Sequence, residues 1–192
     1  MANANPAHPH KPPSEGSIRK AVPALPADMQ YHVFLTHDWG KDENGEDNHE
    51  KVACINKALQ TRGFVTWFDE DRMEGNIIDQ MTAGIDDSAC IAVFITSNYE
   101  TKVRGRGPRG AEDNCKLEFE YAHNHKGVAN SIPVVMEGRM MAPGNWKGPV
   151  GMVFGKILYK TNFSNVPISS RADFEKQVDN LADEIISKCN KY

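Results

Sequence analysis

The chain has 192 residues, 40% hydrophobic and 25% charged, which suits one domain with an ordinary core. Its net charge of -4 supplies no whole-chain attraction to nucleic acid or anionic membrane, and no stretch is long and apolar enough for a membrane span or signal core. No nucleic-acid or membrane partner is therefore expected, and a cytoplasmic location is the default.

The four cysteines, Cys54, Cys90, Cys115 and Cys189, are widely spaced and form no CxxC pair, so neither a zinc knuckle nor a thioredoxin-like motif is indicated. Residues Met1 to Met29 carry six of the eleven prolines and read as a disordered tail, 1–29, that buries too little to offset its ordering entropy. His8 and His10 lie in that tail with no third ligand nearby. The folded domain is expected over 30–192.

Tyr31 to Thr36 (YHVFLT) reads as a first strand. HDWG and an acidic loop, KDENGEDNHE, follow. The loop is not an EF-hand: with Gly45 at the invariant glycine, Gly40 falls on the first ligand position and Lys51 on that of the bidentate glutamate. Asp47-x-x-Glu50 reads instead as a capping box opening a helix to about Arg62, with Val52, Ile55 and Leu59 as its apolar face. Gly63 ends it.

Phe64 to Phe68 is a second strand. Ile78, Met81 and Ile85 fall at helical spacing, and Cys90 to Ile95 is a continuous apolar run. Strand, helix, strand is the pattern of a parallel sheet. After Tyr99 the stretch TKVRGRGPRGAEDN is rich in Gly and Arg and reads as a loop. Its Lys102, Arg104, Arg106 and Arg109 form either a solvated surface or a cationic flap over a phosphate-bearing ligand.

Asn114 to His123 reads as a helix, Ile132 to Met136 as a fourth strand and Ile157 to Phe163 as a fifth, with Gly138 to Gly155 broken by glycine and proline. Ser170-x-x-Asp173 caps a final helix whose Phe174, Val178, Leu181 and Ile185 form one stripe. Strands alternating with helices predict an α/β, flavodoxin-like three-layer domain with a five-stranded parallel sheet in the order 2-1-3-4-5.

In such a sheet ligands bind at the carboxyl ends of the strands, at the switch point between strands one and three. Thr36, His37, Asp38 and Trp39 follow strand one, Ser97 and Asn98 follow strand three, and Asp69, Glu70 and Asp71 follow strand two. There is no G-x-G-x-x-G, no GxxxxGK[ST] and no G-x-S-x-G, which argues against a dinucleotide-dependent oxidoreductase, a P-loop NTPase and an α/β-hydrolase. Strand three ends in Thr96 and Ser97, which does not suit a phosphate receiver.

Carboxylates and aromatics remain. They suit cleavage of a glycosidic bond, where a carboxylate stabilises positive charge on a sugar ring. A pyridinium leaving group departs neutral and needs no general acid. His37 reads as pocket lining rather than as a catalyst. Asp69 to Asp71 reads as a solvated acidic turn, so no metal is expected to be required.

Four stretches in order resemble the Toll/interleukin-1 receptor (TIR) domain family. YHVFLTHD is similar to its opening strand. GFVTWFDEDRMEG is similar to its second strand and following loop, with Asp69 and Gly75. GIDDSACIAVFITSNY is similar to the helix end and buried strand before its "S..Y". NCKLEF is similar to its WCxxEL box.

The resemblance implies one of two functions. Some members cleave NAD+ to nicotinamide and ADP-ribose or a cyclic isomer, using the glutamate of the box and no cofactor beyond NAD+ as substrate. Others are non-catalytic scaffolds acting through TIR–TIR contacts. Carried over, the catalytic residue is Glu118, and Thr36, His37, Asp38, Trp39, Asp69 and Asn114 are the substrate-binding residues. Asn114 stands where the box has tryptophan, which removes an aromatic platform and counts against cyclisation. Trp39 and Trp67 are the candidates for another aromatic face. Self-association is the implied partner interaction.

Overall fold

The computed structural model describes residues 20–69 and 76–191. Strand β1 (Tyr31–Thr36) leads to helix α1 (Asn48–Thr61), β2 (Thr66–Trp67), α2 (Ile77–Asp86) and β3 (Ser88–Ile95). Helices α3 (Ser97–Val103) and α4 (Asn114–Lys126) precede β4 (Ser131–Val135), α5 (Gly148–Phe154), β5 (Thr161–Asn162) and α6 (Arg171–Cys189). The strands pair in parallel in the order β2-β1-β3-β4-β5, as expected.

The order follows from burial. All six residues of β1 and all eight of β3 are buried, so these strands need cover on both faces. Side chains alternate between faces at period two. Val33, Leu35, Ala92 and Phe94 face α1 and α6, where Val52, Ile55, Leu59, Val178, Leu181 and Ile185 meet them. Phe34, Ile91, Val93 and Ile95 face α2 to α5, against Ile85, Tyr99, Phe119 and Phe154. The stripe expected on the last helix is thus core.

Gly84 shows how tight the second face is. A Cβ there would fall inside the van der Waals surface of the Trp67 indole, itself stacked on Phe34 with centroids 4.2 Å apart. Gly84→Ala is expected to destabilise the fold by about 1–3 kcal/mol, read as a lower denaturation midpoint at unchanged slope.

Several boundaries differ from the sequence expectations. The stretch after Tyr99 is not loop from its start: α3 runs to Val103 because the Thr96 hydroxyl accepts the Tyr99 N–H (2.9 Å) and Tyr99 and Val103 are buried. Helix α5 forms inside the glycine- and proline-broken stretch, with Pro149 in its first turn and Glu100 Oε2 accepting the Lys147 N–H (2.7 Å). The fifth strand pairs only at Thr161–Asn162, and the second only at Thr66–Trp67.

Asp47 caps α1 as expected, accepting from Glu50 N at 3.1 Å. Ser170 behaves differently, its hydroxyl donating to Asp173 Oδ2 (2.8 Å) with no bond to the helix backbone. Residues 20–29, expected to continue a disordered tail, run against the domain. Val22 and Met29 pack on the core, and His32 Nε2 donates to the Pro23 carbonyl (3.1 Å) while its Nδ1 accepts from Val65 N (2.9 Å). The remainder of the tail expectation, with His8 and His10, lies outside the described residues, as do Glu70, Asp71 and Gly75 of the loop after β2.

Candidate active site

The carboxyl ends of β1 and β2 and the first turns of α4 enclose a cavity of about 310 Å³. A larger hollow, about 950 Å³, lies elsewhere, between α1 and α6. Its wall is built on the Arg62 guanidinium held by Glu175 (2.6 Å) and Asp179 (2.8 Å). Chemistry, not size, selects the first.

Glu118 lines this cavity and is itself buried. Asp113 aims it by capping α4, accepting from Cys115 N at 3.0 Å. Five residues on, the Glu118 carboxyl meets the end of β1, where Thr36 Oγ1 donates to Glu118 Oε2 at 2.6 Å. Thr36 has one hydroxyl proton, so it accepts from the Tyr99 hydroxyl 3.0 Å away. Tyr99 from α3, Thr36 from β1 and Glu118 from α4 form one buried relay.

Burial pushes the Glu118 carboxyl up to about 8; the Thr36 hydrogen bond opposes this, nearby Asp69 and Asp113 add to it, and Lys102 opposes it. Burial, then the Glu118 charge, pushes the Cys115 thiol far up, which removes it as a nucleophile. The Tyr99 hydroxyl is likewise raised, by burial first.

His37 also lines the cavity. Burial holds its imidazole below the usual range, Asp69 opposing. Nδ1 lies 3.3 Å from the Leu35 carbonyl, which can only accept, so that nitrogen carries the proton. Nε2 then accepts from His49 Nδ1, 2.7 Å away. Trp39 is half exposed, stacks on His49 with centroids 3.9 Å apart, and donates from its indole to Asp69 Oδ2 (3.0 Å).

Of the residues the sequence nominated, Glu118, His37, Trp39, Asp69 and Asn114 come together as cavity wall. Thr36 sits one bond behind, through Glu118. Asp38 stands apart from them: it is fully buried and does not line the cavity. Its carboxylate accepts from Thr96 Oγ1, from Asn98 Nδ2 (2.6 Å) and from Asn48 Nδ2 (3.2 Å). It braces the turn after β1 from beneath the cavity wall.

Trp67, one of the two candidates for an aromatic face, also lines the cavity, as do Lys102 and Arg109 of the basic stretch. The sequence carried a signal for those two, in the basic stretch, but none for their convergence on Glu118. Tyr99 was marked only as the tyrosine of a family-like stretch, and nothing marked His49.

A parallel α/β sheet with an acid buried at its switch point defines the class: a flavodoxin-like domain with a single-glutamate pocket. The chain belongs to the TIR domain family, whose profile matches residues 33–180. Two solved structures resemble it in fold. One is a metazoan TIR-STING receptor from C. gigas, 16% identical with TM-score 0.51, covering 82% of this chain and 43% of that one. The other is the same receptor in complex with 2',3'-cGAMP, 19% identical with TM-score 0.53, covering 88% and 42%. The chain thus spans less than half the length of either. No curated protein matches it. Among the described residues no helix is long and apolar enough to cross a membrane.

Proposed function

We propose that this TIR domain cleaves the nicotinamide–ribose bond of NAD+, with Glu118 as its catalytic residue. The observation that carries the reading is the Glu118 carboxyl, buried in a cavity wall and held by Thr36 at 2.6 Å, at the position of the family's box glutamate.

The C1′–N bond breaks and its electron pair passes to the pyridinium nitrogen, so nicotinamide leaves neutral. The ionised Glu118 carboxylate stabilises the positive charge that develops on the ribosyl ring. Water adds at C1′ and gives up a proton, leaving ADP-ribose; attack by the adenine of the same molecule would give a cyclic isomer instead. Asn114, in place of the box tryptophan, favours the linear product. Trp67 offers the pyridinium an apolar face, and Lys102 and Arg109 offer charge to the diphosphate.

The empty site is mostly protonated at neutral pH, because burial raises Glu118 to about 8. The substrate corrects this itself: a pyridinium cation beside the carboxyl favours its ionised form. His37, neutral and held by Leu35 and His49, lines the pocket without exchanging a proton with substrate.

Self-association completes the reading. Release of nicotinamide from NAD+, followed by chromatography, is expected to rise per chain as protein concentration rises. A rate per chain that does not change with concentration would count against assembly. No release at any concentration, with full signalling retained by Glu118→Ala, would turn the assignment to a non-catalytic scaffold, the reading that Asn114 favours.

A further inference from the structure

His37, His49 and Asp69 come from three separate segments: the end of β1, the second residue of α1 and the end of β2. One ligand atom of each, His37 Nε2, His49 Nδ1 and Asp69 Oδ1, lies within 4.8 Å of the other two. The two nitrogens are 2.7 Å apart and share one proton between facing lone pairs. Asp69 Oδ1 is 3.9 Å from His37 Nε2 and, among the described residues, is buried with no hydrogen-bond partner.

The groups behind these atoms are the kind that orient metal ligands. A metal-bound histidine commonly donates its other ring N–H to a carbonyl, fixing tautomer and ring plane. His37 Nδ1 does this to Leu35 O. A ligating carboxylate is commonly held by a hydrogen bond on its other oxygen, as Trp39 Nε1 holds Asp69 Oδ2 at 3.0 Å. The His49 ring stacks on Trp39 and on Phe68, with centroids 3.9 and 5.2 Å away. An unpaired buried carboxylate oxygen beside two imidazole nitrogens that share a single proton is costly in the empty site and satisfied by a cation.

We propose that His37, His49 and Asp69 bind one divalent transition metal ion of the zinc class in the wall of the cavity. Two imidazoles and one carboxylate suit such an ion and not magnesium or calcium, which take oxygen ligands. Metal–nitrogen bonds near 2.0–2.1 Å put ligand atoms of a tetrahedral site roughly 3.4 Å apart. From 2.7 Å the nitrogen pair then opens by about 0.7 Å, and from 3.9 Å Asp69 Oδ1 closes on His37 by about half an ångström, both within reach of side-chain rotation. The His49 proton moves from Nδ1 to Nε2 as the metal replaces it. Three protein ligands leave a fourth position for water. The ion ties β1, α1 and β2 together; the NAD+ cleavage described above does not pass through it.

The test uses the full chain without NAD+, so its outcome is independent of that function. His8→Ala and His10→Ala are introduced first, because the tail histidines would bind metal nonspecifically. Metal-stripped protein is titrated with Co2+, read by visible absorption, and with Zn2+ in competition with a chromophoric chelator. One ion per chain is expected. His49→Ala should weaken affinity by about 100-fold or more, and Trp39→Phe by about 10-fold through the lost hold on Asp69. Asp69→Asn serves as a second ligand variant should His49→Ala misfold, and circular dichroism of each metal-free variant checks the fold. Absence of stoichiometric binding, thiolate bands in the Co2+ spectrum, or parental affinity in the ligand variants would overturn the assignment.

Discussion

Glu118→Gln is expected to abolish nicotinamide release and, above neutral pH, to make the protein more stable. Loss of one preorganised charge stabiliser lowers turnover by about 10²–10³-fold. The glutamine carbonyl still accepts from Thr36 Oγ1, so the relay through Tyr99 keeps its geometry. What disappears is the negative charge at the ribosyl centre.

The pH dependence separates this from a packing effect. With the free carboxyl raised to about 8, roughly a tenth of the chains carry the charge at pH 7. Wild-type kcat/KM, which reports the free enzyme, should rise about tenfold per pH unit from pH 6 toward 7 and level off above 8. Whereas kcat reports the complex, where the pyridinium favours the carboxylate, and it should level off at lower pH.

Stability moves the opposite way. Folding raises the Glu118 value from 4.5 to about 8, so the folded state binds more protons and loses stability as pH rises across that window. The loss is bounded at roughly 5 kcal/mol once both states are ionised. Glutamine carries no charge at any pH. The variant and wild type should therefore melt together near pH 4.5 and diverge steadily to pH 8, the variant higher. Parallel melting curves at all pH values would mean that Glu118 is not buried as described.

Asp38→Asn should be the most damaging conservative change at the carboxyl edge of the sheet. Every neighbour of this carboxylate is a donor: the Thr96 hydroxyl and the Asn48 amide on Oδ1, and the Asn98 amide on Oδ2 at 2.6 Å. An amide in its place turns one acceptor into a donor facing a donor, with no water to intervene at a fully buried position. The expected cost is about 2–4 kcal/mol, from the lost bonds and the unsatisfied group together. A lower urea midpoint at unchanged slope would register it. Activity should fall as well, because Thr96 caps the helix that carries Tyr99. A substrate-binding role alone would raise KM and leave the midpoint in place.

That contrast shows where the sequence was legible. Strand β1 could be read to the residue, because it is buried along its whole length around the apolar run Val33 to Leu35. Helices α1, α2 and α6 declare themselves through apolar residues at helical spacing, and the sheet order follows from alternation of strand and helix. Helix α5 could not be read: Gly148, Pro149, Gly151 and Gly155 argue against a helix, and what holds it is distant, the Glu100 bond to Lys147 N and burial of Val150 and Phe154. Strand β5 was overread because Ile157 and Tyr159 are apolar for another reason; they pack against the α2–α5 side of the sheet.

The site divides the same way. Glu118 was found through a family resemblance, since nothing local distinguishes it from Glu120. Asp38 sits between two pocket residues in sequence, but the backbone turns after β1, sending His37 into the wall and Asp38 beneath it. His49 lies in an acidic stretch with no motif. Its partnership with His37 is made only when α1 docks on the sheet.

The two outermost strands, β2 and β5, are two residues each. A peptide adding to a sheet needs a row of free backbone donors and acceptors, and margins this short supply almost none. The fold has thereby closed off the route by which exposed strands template one another into fibrils. Copies of this domain that gather must meet through side chains on helices and loops, so the stoichiometry of any assembly is set by surface chemistry and open to change by single substitutions, with the sheet left intact.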